Sequence, residues 1–228
     1  MLIANFDMTT AEIINHELPI LKLSDTVGNA LNWMEENRIG QLVVADNGKY
    51  AGIVSEETLM NYDEGLPLFD VMLQFSEIYL FDYQHIYESL GLISKYHLAI
   101  LGVVDEEQNF VGTITATEIY SKFAELLGSQ EPGAVLVVAL KSRDYSLAEI
   151  SRLVESDNAK IISSYFSGSS YANDDSARLT LKINRENITS IIATLERFGY
   201  IVEASYAHEP IESLEQERYD MLMRYLSV

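Results

Sequence analysis

Residues 50–59 read YAGIVSEETL, and sixty positions later residues 110–119 read FVGTITATEI. In both, an aromatic and a small or apolar residue precede a glycine, Gly52 or Gly112. Two residues of strand character follow, then a hydroxyl, Ser55 or Thr115, then an apolar residue four positions on, Leu59 or Ile119. The likeness extends upstream. Ala11, Glu12, Ile13 and Ile14 match Asp70, Val71, Met72 and Leu73. Val27, Leu31 and Met34 match Ile86, Leu90 and Ile93, and Leu42 through Asp46 match Leu101 through Asp105. The offset is 59 residues from Asp46 to Asp105 and 60 from Gly52 to Gly112, so the second copy has one extra residue in its turn. A fixed offset of this length marks a duplicated unit.

Each copy reads as β-α-β-β-α. In the first, residues 18–23 form a short strand, and Ser24 or Asp25 caps a helix with Val27, Ala30, Leu31 and Met34 on one face. A buried strand over 41–45 turns through Asp46-Asn47-Gly48 into a second strand over 50–54, and Ser55 caps a short final helix. The second copy runs through 78–81, 85–96, 98–104, 109–114 and 115–127. One such unit cannot cover both faces of its sheet. Two packed sheet to sheet can, so residues 1–127 form one domain of two halves (about 1–62 and 63–127) with pseudo-twofold symmetry and clefts at the seam.

The totals narrow the function. The chain of 228 residues is 48% hydrophobic, so it folds and buries real cores. Its formal charge of −20 repels phosphate backbones and anionic lipid, which argues against nucleic acid and membrane surfaces as partners. It has no cysteine, so thiol catalysis, thiolate metal sites and disulfides are excluded. No run approaches the roughly 20 apolar residues that span a bilayer, and the start has neither a basic nor a long apolar region. The expected location is the cytoplasm.

The two copies resemble a pair of CBS domains, the tandem sensor module also called a Bateman module. The likeness rests on residues 41–46 with Gly52, Ile53, Val54 and Ser55, and on residues 101–105 with Gly112, Thr113, Ile114 and Thr115. In members that bind adenosine nucleotides the phrase is Gly, two apolar residues, Ser or Thr, any two, then Asp. The resemblance therefore implies a cleft where hydroxyl and acid meet the ribose. Ser55 and Thr115 keep the hydroxyls. The acid position is Thr58 in the first copy and Glu118 in the second, a departure in both. The family's basic pair before the apolar strand falls on Gly40-Gln41 and Ala99-Ile100, which carry no charge. Arg38, Lys95 and His97 lie near and are the candidate substitutes, although the spacing differs. Candidate CBS-cleft residues are thus Ser55, Thr58, Thr115, Glu118, Arg38 and His97. The competing reading makes Ser55 and Thr115 plain helix N-caps, worth about 1 kcal/mol each.

Residues 128–133, with Pro132 between Gly128 and Gly133, read as a linker. Beyond them the order is β-α-β-β-α-β: strands over 134–140, 159–166, 177–183 and 200–206, with helices opened by Ser146 and Asn187. That is the split, ferredoxin-like arrangement, and residues 146–156, SLAEISRLVES, resemble the first helix of ACT domains, small-molecule regulatory modules. Such domains place a glycine in the loop after the first strand. Here that loop is Lys141 to Tyr145 and has none. Arg143 can clamp a carboxylate and Asp144 an ammonium group, with Tyr145 crowding the pocket; equally, both charges can be solvated loop residues. Residues 208–228 carry Leu214, Tyr219, Met221, Leu222, Tyr225 and Leu226 near one side of a helix, a face for its own domain or for a second chain.

No phosphate loop, nucleophile elbow or convergent catalytic set is present, and His85 with Glu88 makes only a single metal-like pair. The reading is an α/β (α+β) protein, a CBS pair followed by an ACT-like domain, similar to acetoin-utilisation-like CBS proteins. It is expected to be a non-catalytic, homodimeric regulator that binds a small-molecule effector, of adenosine-nucleotide type, and acts on an unidentified protein partner. The rival is an oligomerisation scaffold whose ligand sites have decayed.

Overall fold

The computed structural model describes residues 8–169, 171 and 174–207; the helix expected over 208–228 lies outside the described residues. The chain is a mixed α+β protein of two compact units, Met1–Phe123 and Ala124–Val228.

In the first unit the first repeat contains α1 (Val27–Asn37), β1 (Gln41–Asp46), β2 (Lys49–Ser55) and the single turn α2 (Glu56–Leu59). The second contains β3 (Tyr79–Phe81), α3 (Ile86–Tyr96), β4 (Ile100–Val104), β5 (Phe110–Thr115) and α4 (Ala116–Leu126), whose last turn enters the second unit. The expected strand over 18–23 reduces to one parallel bridge, Leu21 to Val44. Pro19 has no amide to give, and the Leu23 carbonyl accepts from Phe69 instead. Nor is α1 capped by Ser24 or Asp25. Thr26 is the N-cap, its hydroxyl accepting from Asn29 N–H at 3.2 Å, while Asp25 closes a turn onto Lys22 N–H at 2.7 Å. The β1–β2 hairpin turns at Asn47 and Gly48, both at positive φ (50° and 75°), the two-residue turn that matches strand twist.

Symmetry is visible in matched irregularities. The β1–β2 register breaks between Val44 and Ala45, and β4–β5 breaks at the equivalent Val103 and Val104. Helices α1 and α3 each end on a non-glycine residue in left-handed conformation, Arg38 (φ 53°) and His97 (φ 54°). Lys49 and Asn109 occupy equivalent positions and pair with each other, with Lys49 Nζ 2.9 Å from Asn109 Oδ1, so the local twofold passes between the hairpins.

The segments preceding each repeat cross over. Thr10 and Ala11 donate to Gln84 and Asp82 beside the second repeat, whereas Leu68 and Phe69 donate to Asp25 and Leu23 beside the first. Asn15 bridges Thr113 of β5, and Gln74 bridges Ile53 of β2. The repeated glycines permit this. A Cβ at Gly52 (φ 147°) would lie 2.8 Å from the Gln74 carbonyl, and one at Gly112 would lie 2.4 Å from Ile14 Cγ2. Two cores result. One gathers Leu21, Val27, Ala30, Leu42, Val44, Val54, Leu59 and Leu68, with Trp33 partly buried against it. The other surrounds Leu80, Ile100, Leu101, Val103, Ile114 and Ile119 and takes in Val43 and Ile53 from the first repeat, so the seam is apolar.

The second unit has β6 (Ala134–Lys141), α5 (Leu147–Glu155), β7 (Ile161–Gly168), β8 (Ser176–Ile183), α6 (Thr189–Arg197) and β9 (Ile201–Tyr206). The sheet is antiparallel in the order β7-β8-β6-β9. Alternate residues Leu136, Val138, Leu179, Leu181 and Ile183 pack with Ile150, Leu153, Val154, Ile191 and Leu195 of the helices. Ser146 caps α5 through Glu149 N–H; the N-cap position of α6 is Ile188 rather than the expected Asn187, whose Oδ1 accepts from Thr189 N–H at 3.1 Å from one residue further out. Among the described residues no helix is long and apolar enough to cross a membrane.

Candidate functional site

Strand β2 delivers Ser55 to the seam, where the chain turns into α2. Ser55 Oγ accepts from Thr58 N–H (3.3 Å) and shares a hydrogen with Thr58 Oγ1 (2.8 Å). Gln74, on the crossing segment, donates its amide to Thr58 Oγ1 at 3.0 Å. Above this ladder opens a cleft of about 630 Å³. The first repeat lines it with Gln41, Ser55, Glu57, Thr58, Asn61 and Tyr62; the crossing segment contributes Gln74 and Phe75, and α3 contributes Tyr96. Gln41 Oε1 accepts from Ala99 N–H at 2.7 Å, which ties the start of β1 to the second repeat. Phe75 and Tyr96 meet edge to face with centroids 5.8 Å apart.

Phe75 sits at φ 57°, a conformation an aromatic residue adopts only when its surroundings impose it. The Phe75 carbonyl is held by Ile78 N–H at 3.0 Å and by Tyr50. The Tyr50 hydroxyl lies 3.0 Å from the Phe75 carbonyl and 2.9 Å from the Ile78 carbonyl, and its ring fills the space left by the missing side chain of Gly102. Burial raises the Tyr50 phenol above its ordinary range.

The equivalent place in the second repeat is wired differently. Thr115 Oγ1 accepts from Glu118 N–H (3.2 Å), and Glu118 Oε2 accepts from Thr115 N–H (2.7 Å). This is a reciprocal capping box at the head of α4. The other carboxylate oxygen, Oε1, accepts from Asn15 Nδ2. Both Glu118 oxygens are thus engaged by the protein itself. The signal was present in the sequence as T-x-x-E over residues 115–118.

The structure brings Ser55 and Thr58 together in one cleft, and Thr115 and Glu118 together in one cap. Arg38 lines a separate recess of about 550 Å³ with Glu35, Glu56 and Glu64, and His97 ends α3; neither lines the Ser55 cleft. In the second unit Arg143 pairs with Asp175 (3.5 Å) and Asp144 (3.9 Å), all well exposed. Tyr145 stacks at a tilt on Phe166, centroids 4.6 Å apart. Asp144 also lines a recess of about 590 Å³ with Lys141, Asp174, Asp175 and Tyr200. Among the described residues no group of three or more His, Asp or Glu side chains is placed to hold a metal. Sequence reasoning missed Asn61, Tyr62, Gln74, Phe75 and Tyr96. One signal existed for Gln74: it stands 59 positions after Asn15, so the repeat places an amide at both crossing points.

The CBS domain model matches residues 11–65. Among solved structures, a CBS domain pair/ACT domain protein from Thermotoga maritima is 24% identical, over 53% of this chain and 99% of its own, with a TM-score of 0.49. CBSX2 in complex with AMP is 20% identical over 51% of this chain and 96% of its own, at 0.45. The cytosolic domain of the Mg²⁺ channel MgtE in complex with ATP is 21% identical over 51% and 49%, at 0.44.

Proposed function

We propose that residues 8–123 act as a CBS-pair sensor that binds an adenosine-type small molecule in the Ser55 cleft and signals by a change in how its repeats pack. The observation that carries this reading is the make-up of the cleft: its walls come from the first repeat, from the crossing segment and from α3 of the second. A ligand there touches both halves. It binds one relative placement of them better than another and shifts the population toward it. The volume lies within the roughly 300–1,000 Å³ usual for small-molecule sites. We read the second unit as an ACT-like regulatory domain on its β-α-β-β-α-β order, and the chain as a homodimer resembling acetoin-utilisation-like CBS proteins.

The test is thermal unfolding of the whole chain with millimolar adenosine, AMP, ADP, ATP or S-adenosylmethionine. A ligand at about 100 times its Kd adds about 2.7 kcal/mol and moves the midpoint by several degrees. If none moves it, the sensor reading fails.

A second reading is favoured by Glu118. A carboxylate tied through both oxygens, to Thr115 N–H and to Asn15, serves the head of its own helix, as expected of a decayed ligand site in a scaffold. Light-scattering mass separates the two. A scaffold keeps one oligomeric state and one hydrodynamic radius whatever metabolite is added.

A further inference from the structure

We infer that the Ser55 cleft selects an uncharged purine nucleoside and discriminates against its phosphorylated forms. This rests on the sensor reading above and deepens it. The lining is neutral polar and aromatic with a single charge. Gln41 Oε1 is taken by Ala99 N–H, Asn61 Nδ2 by the Glu57 and Thr58 carbonyls and Gln74 Nε2 by Thr58 Oγ1, which leaves the Gln41 amide N–H as donor and the Asn61 and Gln74 amide oxygens as acceptors for the edge of a heterocycle. Ser55 and Thr58 offer hydroxyls that both donate and accept, suited to a sugar hydroxyl. Tyr62, Phe75 and Tyr96 offer ring surface to a planar base. The one ionised group is the exposed carboxylate of Glu57. Among the described residues that line the cleft there is no Lys, Arg or His. The Lys95 ammonium lies over the Tyr96 ring, 4.9 Å from its centroid, and is not part of the lining.

The energetics follow from these groups. A phosphate brought into this cleft meets no cation among the described residues that line it, faces Glu57, and enters the field of a chain with a net charge of −20. A nucleoside meets none of these penalties. Phe75 supports the assignment independently. Its left-handed backbone is held by Ile78 N–H and the Tyr50 hydroxyl, an arrangement that keeps an aromatic wall in place before any ligand arrives.

Titration calorimetry of the full chain at one fixed ionic strength, in EDTA, tests this with adenosine, AMP and ATP. Adenosine binds tightest, AMP about tenfold more weakly, and ATP more weakly still. Thr58→Trp, which fills the cleft, abolishes adenosine binding. Glu57→Gln narrows the adenosine-to-AMP ratio about threefold. If AMP or ATP binds as tightly as adenosine and Thr58→Trp removes that binding, the sensor reading stands and the selectivity is overturned. Adenosine binding that survives Thr58→Trp overturns the placement. Absence of binding by all three overturns both.

Discussion

Tyr50 does more for the first unit than its place in a repeated phrase indicates. Its hydroxyl reaches two carbonyls of the crossing segment and its ring occupies the place of a side chain at Gly102, so one residue joins the first repeat, the segment and the second repeat. Tyr50→Phe keeps the ring and loses the hydrogen bonds, and is expected to cost about 1–2 kcal/mol. The pH dependence has a definite sign. A phenol pushed upward in the folded state contributes stability that is complete below its ordinary value of 10.0 and is lost as pH rises past it toward the folded value. The wild-type chain therefore loses about 1.4 kcal/mol per pH unit through Tyr50 above pH ~10. Urea midpoints at pH 9 and pH 11 check this: the gap between wild type and Tyr50→Phe narrows at the higher pH. A constant gap removes Tyr50 from the alkaline transition. Thr58 belongs to the same scale. The sequence showed it could not replace a carboxylate, but not that Ser55 and Gln74 would hold its hydroxyl.

At the scale of elements, α4 and α2 start from matching phrases, Thr115-Ala116-Thr117-Glu118 and Ser55-Glu56-Glu57-Thr58, and the residue three after the hydroxyl sets them apart. Glu118 reaches back to Thr115 N–H, and α4 runs for eleven residues. Thr58 cannot reach back in that way, and α2 stops after four. Glu118→Ala is expected to lower stability by about 1 kcal/mol through loss of the cap and of the Asn15 contact, whereas Glu118→Gln, whose one amide oxygen still accepts from Thr115 N–H, keeps the cap and loses only the Asn15 contact. Urea unfolding of the two variants decides; equal losses would mean that charge rather than capping is at work. The helices, hairpins and Asn47-Gly48 turn were legible because each is a local pattern of periodicity, caps and positive φ. The strand over 18–23 was misread because its apolar character was real but its partners were not local. The Leu23 carbonyl goes to Phe69, 46 residues away.

For the whole molecule, two units with separate cores predict separable unfolding. The second unit's core, around Leu136, Ile150, Leu181 and Leu195, shares no residue with the cores of the first. Trp33, the single tryptophan, packs against the first repeat's core and reports on the first unit. Leu181 is fully buried, so Leu181→Ala is expected to cost the second unit about 2–5 kcal/mol. Far-UV circular dichroism then shows an earlier transition, while the Trp33 fluorescence midpoint stays where it was. A fluorescence midpoint that moves in step would show that the units unfold as one.

The sequence by itself determined the duplication, the order of the helices and hairpins in both units and the caps at Ser55, Thr115 and Ser146. All of these are set by contacts a few residues apart or by repetition along the chain. Tertiary structure alone decided which repeat each preceding segment covers and that Glu118 is consumed by its own helix and Asn15. It also decided that the open cleft lies at Ser55, walled by Gln74, Phe75 and Tyr96. Those outcomes depend on pairing residues up to 103 apart in the chain, and no period or local propensity encodes which of two equivalent surfaces a crossing strand will choose.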